Sequence, residues 1–153
     1  MPEEKILTFE ELQAIAGKVQ VTETLEVEKS IIRNFAQAIG DPNPLFNDEK
    51  YAQSKGYRSI IAPPGFYESA IMSSAFTRLR PQMPIGRGVD AGGEWEILKA
   101  IEAGDVLTNT FKFADVRQEE GKKGPKTFLK FETEHVNQKG EVVARSRSQI
   151  MKF

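Results

Sequence analysis

The chain of 153 residues has no cysteine and a single histidine, His135. Without thiols there is no disulfide, no thiolate nucleophile and no Cys-based zinc site, which fits a reducing, cytoplasmic setting. One imidazole cannot build the common two-His or three-His metal sites, and a serine triad would have to take His135 as its base. An excess of one charge is missing too. The 21 basic and 22 acidic side chains give a formal net charge of -1, so no net attraction draws the chain to a phosphate backbone or an anionic lipid surface. Nucleic acid and membrane are therefore not expected partners. Long apolar runs are also lacking. The longest charge-free stretches, 59 to 67 and 69 to 77, fall well short of the ~18 residues a span needs, and the first eight residues carry Glu3, Glu4 and Lys5 with no apolar signal core.

What is present is an ordinary globular composition, with 39% hydrophobic and 28% charged residues. This length is expected to form one domain over 1–153 and to bury roughly 70% of the surface its unfolded chain exposes. Thr8 and Glu11 have the spacing of a capping box, and with Phe9, Leu12 and Ala16 on one side they predict a short helix over about 8 to 16. Residues 22 to 28 alternate as a strand. Ile31, Ile32, Phe35, Ala36 and Ile39 then recur at helical spacing up to Gly40. Asp41-Pro42-Asn43-Pro44 forbids a regular helix and predicts a rigid loop, followed by a short helix over 49 to 55. After Ala62-Pro63-Pro64-Gly65, the stretch from Phe66 to Leu79 has no Gly or Pro and many small residues, which predicts the longest and most buried helix. A loop is expected over 81 to 93. Strands are expected over 94 to 100, 106 to 116, 127 to 136 and 141 to 151, with turn signals between them. These elements make an α+β domain in which an antiparallel sheet wraps a helix.

The run Phe35-Ala36-Gln37-Ala38-Ile39-Gly40-Asp41-Pro42-Asn43-Pro44-Leu45 resembles the signature of the MaoC-type hotdog proteins, the (R)-specific enoyl-CoA hydratases and 3-hydroxyacyl-thioester dehydratases. Ile61-Ala62-Pro63-Pro64, Gly104-Asp105-Val106-Leu107-Thr108 and Asn137-Gln138-Lys139-Gly140-Glu141 are similar to the N-terminal MaoC dehydratase branch. The likeness spans about residues 20 to 152. It implies a hotdog fold around a central long helix, pairing into a homodimer or into a heteromer with another MaoC-like subunit. It also implies an acyl thioester of coenzyme A or acyl carrier protein as substrate, with no metal or redox cofactor. In the family an aspartate and a histidine five positions later hold one water, adding it to C3 of an enoyl thioester and returning a proton to C2. Asp41 matches that aspartate and Asn43 the loop asparagine. Backbone N–H groups near the start of the central helix would stabilise the enolate oxygen.

Two departures follow. The histidine position is Phe46, which cannot transfer a proton or hydrogen-bond a water. Pro63-Pro64 stands where an N–H donor would be needed, which leaves Gly65 and Phe66 as candidate donors. By resemblance, the branch with an aromatic at the histidine position includes subunits that shape the acyl tunnel while a sister subunit supplies the dyad. Gly65, Phe66 and Phe46 are then the expected substrate-binding residues. The alternatives are a self-sufficient hydratase using Asp41 with another acid, and a thioesterase using Glu68 on the central helix.

Each residue also has a plainer reading. Asp41 can be a turn acceptor, and Asn47 and Asp48 turn formers. By parity His135 falls with Leu129, Phe131 and Thr133 on one strand face, where a satisfied core histidine is expected. Ser69, Ser73 and Ser74 have no base and read as close-packing residues. Lys122, Lys123 and Lys126 sit at a turn, either solvated or against a coenzyme A phosphate.

Overall fold

The computed structural model describes residues 6–67 and 87–153. The expected central helix over 65 to 79, with Glu68, Ser69, Ser73 and Ser74, lies outside them except for its first residues. The described elements are helix α1 (Phe9–Ile15), strand β1 (Val19–Glu26), helix α2 (Lys29–Ala38), a 3-10 turn (Pro44–Phe46), helix α3 (Glu49–Ser54), and strands β2 (Gly88–Ile97), β3 (Val106–Gly121), β4 (Gly124–Val136) and β5 (Val142–Lys152). The strands form one antiparallel sheet in the order β1-β3-β4-β5-β2. Among the described residues no helix is long and apolar enough to cross a membrane.

Helix α1 starts as its sequence dictates. The Thr8 hydroxyl accepts the Glu11 N–H at 3.2 Å, and Glu11 Oε2 accepts the Thr8 N–H at 2.9 Å, so two orphan donors are satisfied. The helix places Leu12 in the core, and the Gly17 N–H after it donates to the Phe113 carbonyl, fastening α1 to β3. Strand β1 runs from 19 to 26 rather than 22 to 28. Its pairing with β3 ends at Glu26↔Val106, after which the Val27 N–H turns to the Asp105 carbonyl.

Two further boundaries differ from expectation. The glycines at 88, 92 and 93 suggested a loop, yet β2 already begins at Gly88. They serve a bulge inside the strand. The register shifts between Asp90 and Gly93, the Asp90 carboxylate accepts the Gly92 N–H at 2.8 Å, and Gly92 takes φ +106. The hairpin between β3 and β4 is also tighter than the charged stretch 119 to 125 suggested, because pairing continues through Glu119↔Lys126 to Gly121↔Gly124.

One face of the sheet is buried. Leu107, Asn109, Phe111 and Phe113 of β3, Leu129, Phe131, Thr133 and His135 of β4, and Ala144 and Ser146 of β5 lie on it. Phe113 and Phe131 pack with ring centroids 5.1 Å apart. Each such Leu or Phe contributes roughly 1.5–3 kcal/mol through burial. The opposite face is charged, and Glu132, Glu134, Arg145 and Arg147 point from it.

Candidate active site

The Asp41 loop is built by the end of α2. Gly40 takes φ +68, a left-handed conformation that closes the helix, and the Asp41 N–H returns to the Ala36 carbonyl at 3.0 Å. With the chain turned there, Asp41 Oδ1 accepts the Asn43 N–H at 3.0 Å, and Asn43 Oδ1 accepts the Leu45 N–H at 3.0 Å. Two successive Asx turns therefore set the loop, with Pro42 and Pro44 needing no donors of their own. Asp48 then caps α3 by accepting the Tyr51 N–H. Asp41 is half-buried, and no other hydrogen bond to its carboxylate occurs among the described residues.

Phe46 sits at the end of this loop with its side chain in the apolar core, 5% exposed. The neighbouring Leu45 carbonyl accepts the Ile61 N–H at 3.0 Å, which ties the loop to the segment leading to the prolines. That segment approaches α2. A Cβ at Gly65 would lie 3.5 Å from Phe35 Cζ, and Phe35 meets Phe66 edge to face at 5.8 Å. The Phe66 N–H is already taken up by the Pro63 carbonyl at 2.9 Å. Of the two candidate donors, only the Gly65 N–H has no acceptor among the described residues.

The single histidine is elsewhere, on β4. His135 is fully buried, with Nδ1 2.8 Å from Asn109 Oδ1 and Nε2 3.3 Å from Thr133 Oγ1, which in turn meets Ser146 Oγ. A self-consistent pattern has the Ser146 hydroxyl donating to Thr133, Thr133 donating to Nε2, and Nδ1–H donating to Asn109. Both ring nitrogens are thereby engaged on a neutral imidazole. Trp95 lies parallel to it at 6.4 Å, and Tyr67 and Phe111 close the remaining sides at 5.7 and 6.3 Å. Burial pushes the imidazole down to about 4. Burial likewise raises the Tyr67 phenol, whose hydroxyl donates to the Lys99 carbonyl at 2.9 Å. No hydrogen bond or ring contact joins this cluster to the Asp41 loop among the described residues.

A further polar centre had no local signal in the sequence. Asp105 is buried, 2.7 Å from Arg58 Nη2, and also accepts from the Glu102 N–H and the Gln138 amide. Burial by itself would raise its carboxyl, but the Arg58 guanidinium and these two donors hold it below the ordinary range. The pair lies 47 residues apart in sequence and pins the segment before Ile61 to the start of β3. At the other end of the sheet Lys122, Lys123 and Lys126 are joined by Lys152 around a cleft of about 900 Å³, with Met151 and Phe153 beside them. Among the described residues no group of three His, Asp or Glu is placed to hold a metal ion.

Comparison with known proteins fits this geometry. The family model for the FAS1-like dehydratase domain region matches residues 14–146. A UPF0336 protein from Thermobifida fusca is 31% identical over 135 residues, 86% of each chain. A probable enoyl-CoA hydratase alpha subunit from Thermomonospora curvata is 23% identical over 143 residues, 83% of this chain and 45% of that one. The HadBC (3R-hydroxyacyl-ACP dehydratase) complex from Mycobacterium tuberculosis has the same fold, with a TM-score of 0.74 at 22% identity over 90% of this chain and 96% of that one. The sheet order and the extent of the match lead to one assignment: the chain belongs to the family of the FAS1-like dehydratase domain region and shares the hotdog fold of the MaoC-like hydratases and dehydratases.

Proposed function

We propose that this chain is a subunit with a degenerate dyad, binding the acyl part of a coenzyme A or acyl carrier protein thioester while a MaoC-like partner supplies the complete acid/base pair. The observation that carries the reading is Phe46. Hydration of an enoyl thioester forms a bond from water oxygen to C3 and delivers a proton to C2, so one group must take a proton and another must give one. Asp41 can fill one role. The position that would fill the other holds an apolar ring buried in the core, and the only imidazole is engaged in a separate buried cluster.

Several features support an acyl-binding role. Phe35 and Phe66 pack edge to face beside Gly65, whose N–H has no acceptor among the described residues and is left to meet a thioester oxygen. The assembly part of the reading has precedent, because the Mycobacterium tuberculosis relative is a complex and the Thermomonospora curvata relative is an alpha subunit. A reducing, cytoplasmic setting agrees with the absence of cysteine.

The test is a hydration assay on enoyl-CoA substrates of several chain lengths, using the purified chain beside Phe46→His and Asp41→Ala. The expected result is no turnover by the wild type and turnover appearing in Phe46→His, with folding of that variant checked by circular dichroism. Wild-type turnover abolished by Asp41→Ala would establish a self-sufficient hydratase instead, and that arm does not depend on Phe46→His folding.

A further inference from the structure

The hairpin between β3 and β4 brings three lysines to one end of the sheet. Pairing persists to Gly121↔Gly124, and Gly124 takes φ +116, so the chain reverses over Lys122 and Lys123, with Lys126 following on β4. Lys152 reaches the same end from β5, where it pairs with Thr127. The four lysines line one cleft of about 900 Å³, the size of a small-molecule site.

The chain as a whole is nearly neutral, with a net charge of -1, so this cleft is a local excess of positive charge. One carboxylate, Glu120, shares its lining, and the neighbouring Glu119 is held by Arg117 at 3.0 Å. Among the described residues no carboxylate lies at ion-pair distance from Lys122, Lys123 or Lys126. Two of the stems are laid down in advance. A Cβ at Gly121 would stand 3.0 Å from Lys126 Cε, and a Cβ at Gly88 would stand 2.9 Å from Lys152 Cδ. Each lysine thus runs through space that a glycine leaves open, and side chains held this way lose less freedom when a ligand arrives.

Such a cleft calls for several negative charges in a small volume, which linked phosphates have and a single carboxylate does not. The remaining wall is apolar. Met151 lines it, and Phe153, 52% exposed, presents a ring on which a flat base can stack. We propose that this cleft binds a nucleotide with two or more phosphates, the phosphates among Lys122, Lys123, Lys126 and Lys152 and the base against Phe153.

The cleft lies at the far end of β3 from the segment that ties down the Asp41 loop. Ile61, bonded to Leu45, bridges Glu102 just before β3, and β3 then runs 16 residues, roughly 50 Å, to Gly121. A nucleotide bound there needs no acyl group, so the site does not rest on the thioester reading. Two sources share this chemistry, a free nucleotide and the nucleotide end of coenzyme A.

The test is equilibrium dialysis of the purified chain with labelled ATP at about 50 mM and about 300 mM salt, with tripolyphosphate, adenosine, coenzyme A and a poly-glutamate peptide as competitors. Saturable binding at low salt, weakened about tenfold at high salt, is expected. The double variant Lys122→Gln/Lys126→Gln is expected to bind ATP about tenfold more weakly, and Phe153→Ser about threefold more weakly with tripolyphosphate binding unchanged. Lys122 and Phe153 are exposed and Lys126 is half-buried, so unchanged thermal unfolding is expected of both variants, and the salt and competitor arms need no variant. Coenzyme A that displaces ATP identifies the nucleotide end of the carrier as a ligand, and coenzyme A that does not leaves the free nucleotide. No saturable ATP binding at low salt would overturn the proposal, as would ATP binding unchanged in the double variant. Tripolyphosphate or poly-glutamate competing as well as ATP itself would overturn it too, since the cleft would then read charge alone, and so would adenosine competing equally well. Hydration catalysed by the wild type would remove the degenerate-subunit reading and leave these dissociation constants as they are.

Discussion

The Asp41 loop and the His135 cluster each hold one titratable side chain, in opposite surroundings. The loop is half-buried and held by its own backbone, with one carboxylate oxygen in an Asx turn and no other hydrogen bond to the group among the described residues. The cluster is sealed between Trp95, Tyr67 and Phe111, with both imidazole nitrogens bonded to neighbours and the proton affinity lowered by burial. A titratable side chain becomes a catalyst only where its proton can leave and return. Asp41 keeps a half-buried carboxylate with one hydrogen bond among the described residues, while the imidazole is fully buried with both nitrogens bonded.

Four measurements test this contrast. The largest effect is expected from Phe46→Ala, which empties a core position on the loop side. A loss of about 3–5 kcal/mol of stability should appear in denaturant unfolding, and a loss under about 1 kcal/mol would mean the ring is not a core element. On the cluster side, the pH dependence of stability isolates His135. The unfolded chain binds its proton near the ordinary 6.5 and the folded chain only near about 4. Between these values the unfolded state holds more protons, so the stability present above pH 6.5 is lost as pH falls toward 4, by about 3 kcal/mol in total. The slope between pH 6.5 and about 5.5 should vanish in His135→Gln, while the carboxyls of Glu49, Glu132 and Glu141, held low by their partners, leave a slope of the same sign nearer pH 4. Asp105, whose carboxyl is held low, loses its contribution only at more acid pH and does not confuse the reading.

A smaller change, about 1–3 kcal/mol, is expected for Asn109→Leu, which leaves the buried Nδ1–H without an acceptor. Equal stability of this variant and the wild type would show that the cluster is not a connected network. The smallest is Gly40→Ala. The left-handed φ there disfavours any side chain by about 1 kcal/mol. The cost should be visible in thermal unfolding together with a change in the chemical shift of the Asn43 amide that Asp41 accepts.

The sequence made local features legible and left long-range ones hidden. The Thr8 and Glu11 cap, the end of α2 at Gly40 and the proline loop follow from neighbours within a few residues, and each stands where those rules place it. His135 could be assigned to the core by strand parity alone, and it is there. Glycine in a strand usually signals a turn, so the sequence predicts a loop up to Gly93, whereas the bulge between Asp90 and Gly93 absorbs the glycines without ending the pairing with β5. The Arg58 and Asp105 pair spans the chain, and no periodicity marks it. The register that sets Glu94 beside Arg147 and Glu96 beside Arg145 is likewise invisible in the sequence. At the site, the aspartate and the aromatic at the histidine position could be read directly, but not that Phe46 is buried or that the Phe66 N–H is already occupied by Pro63.

On the proposed reading this chain holds an acyl thioester without converting it. The most direct measurement incubates the purified chain with an enoyl-CoA, separates bound from free ligand, and determines by mass spectrometry whether the bound fraction has gained water. The account predicts saturable binding with the bound ligand recovered as the unhydrated enoyl thioester, in the wild type and in Asp41→Ala alike. Recovery of the 3-hydroxyacyl product from the wild type and not from Asp41→Ala would contradict it.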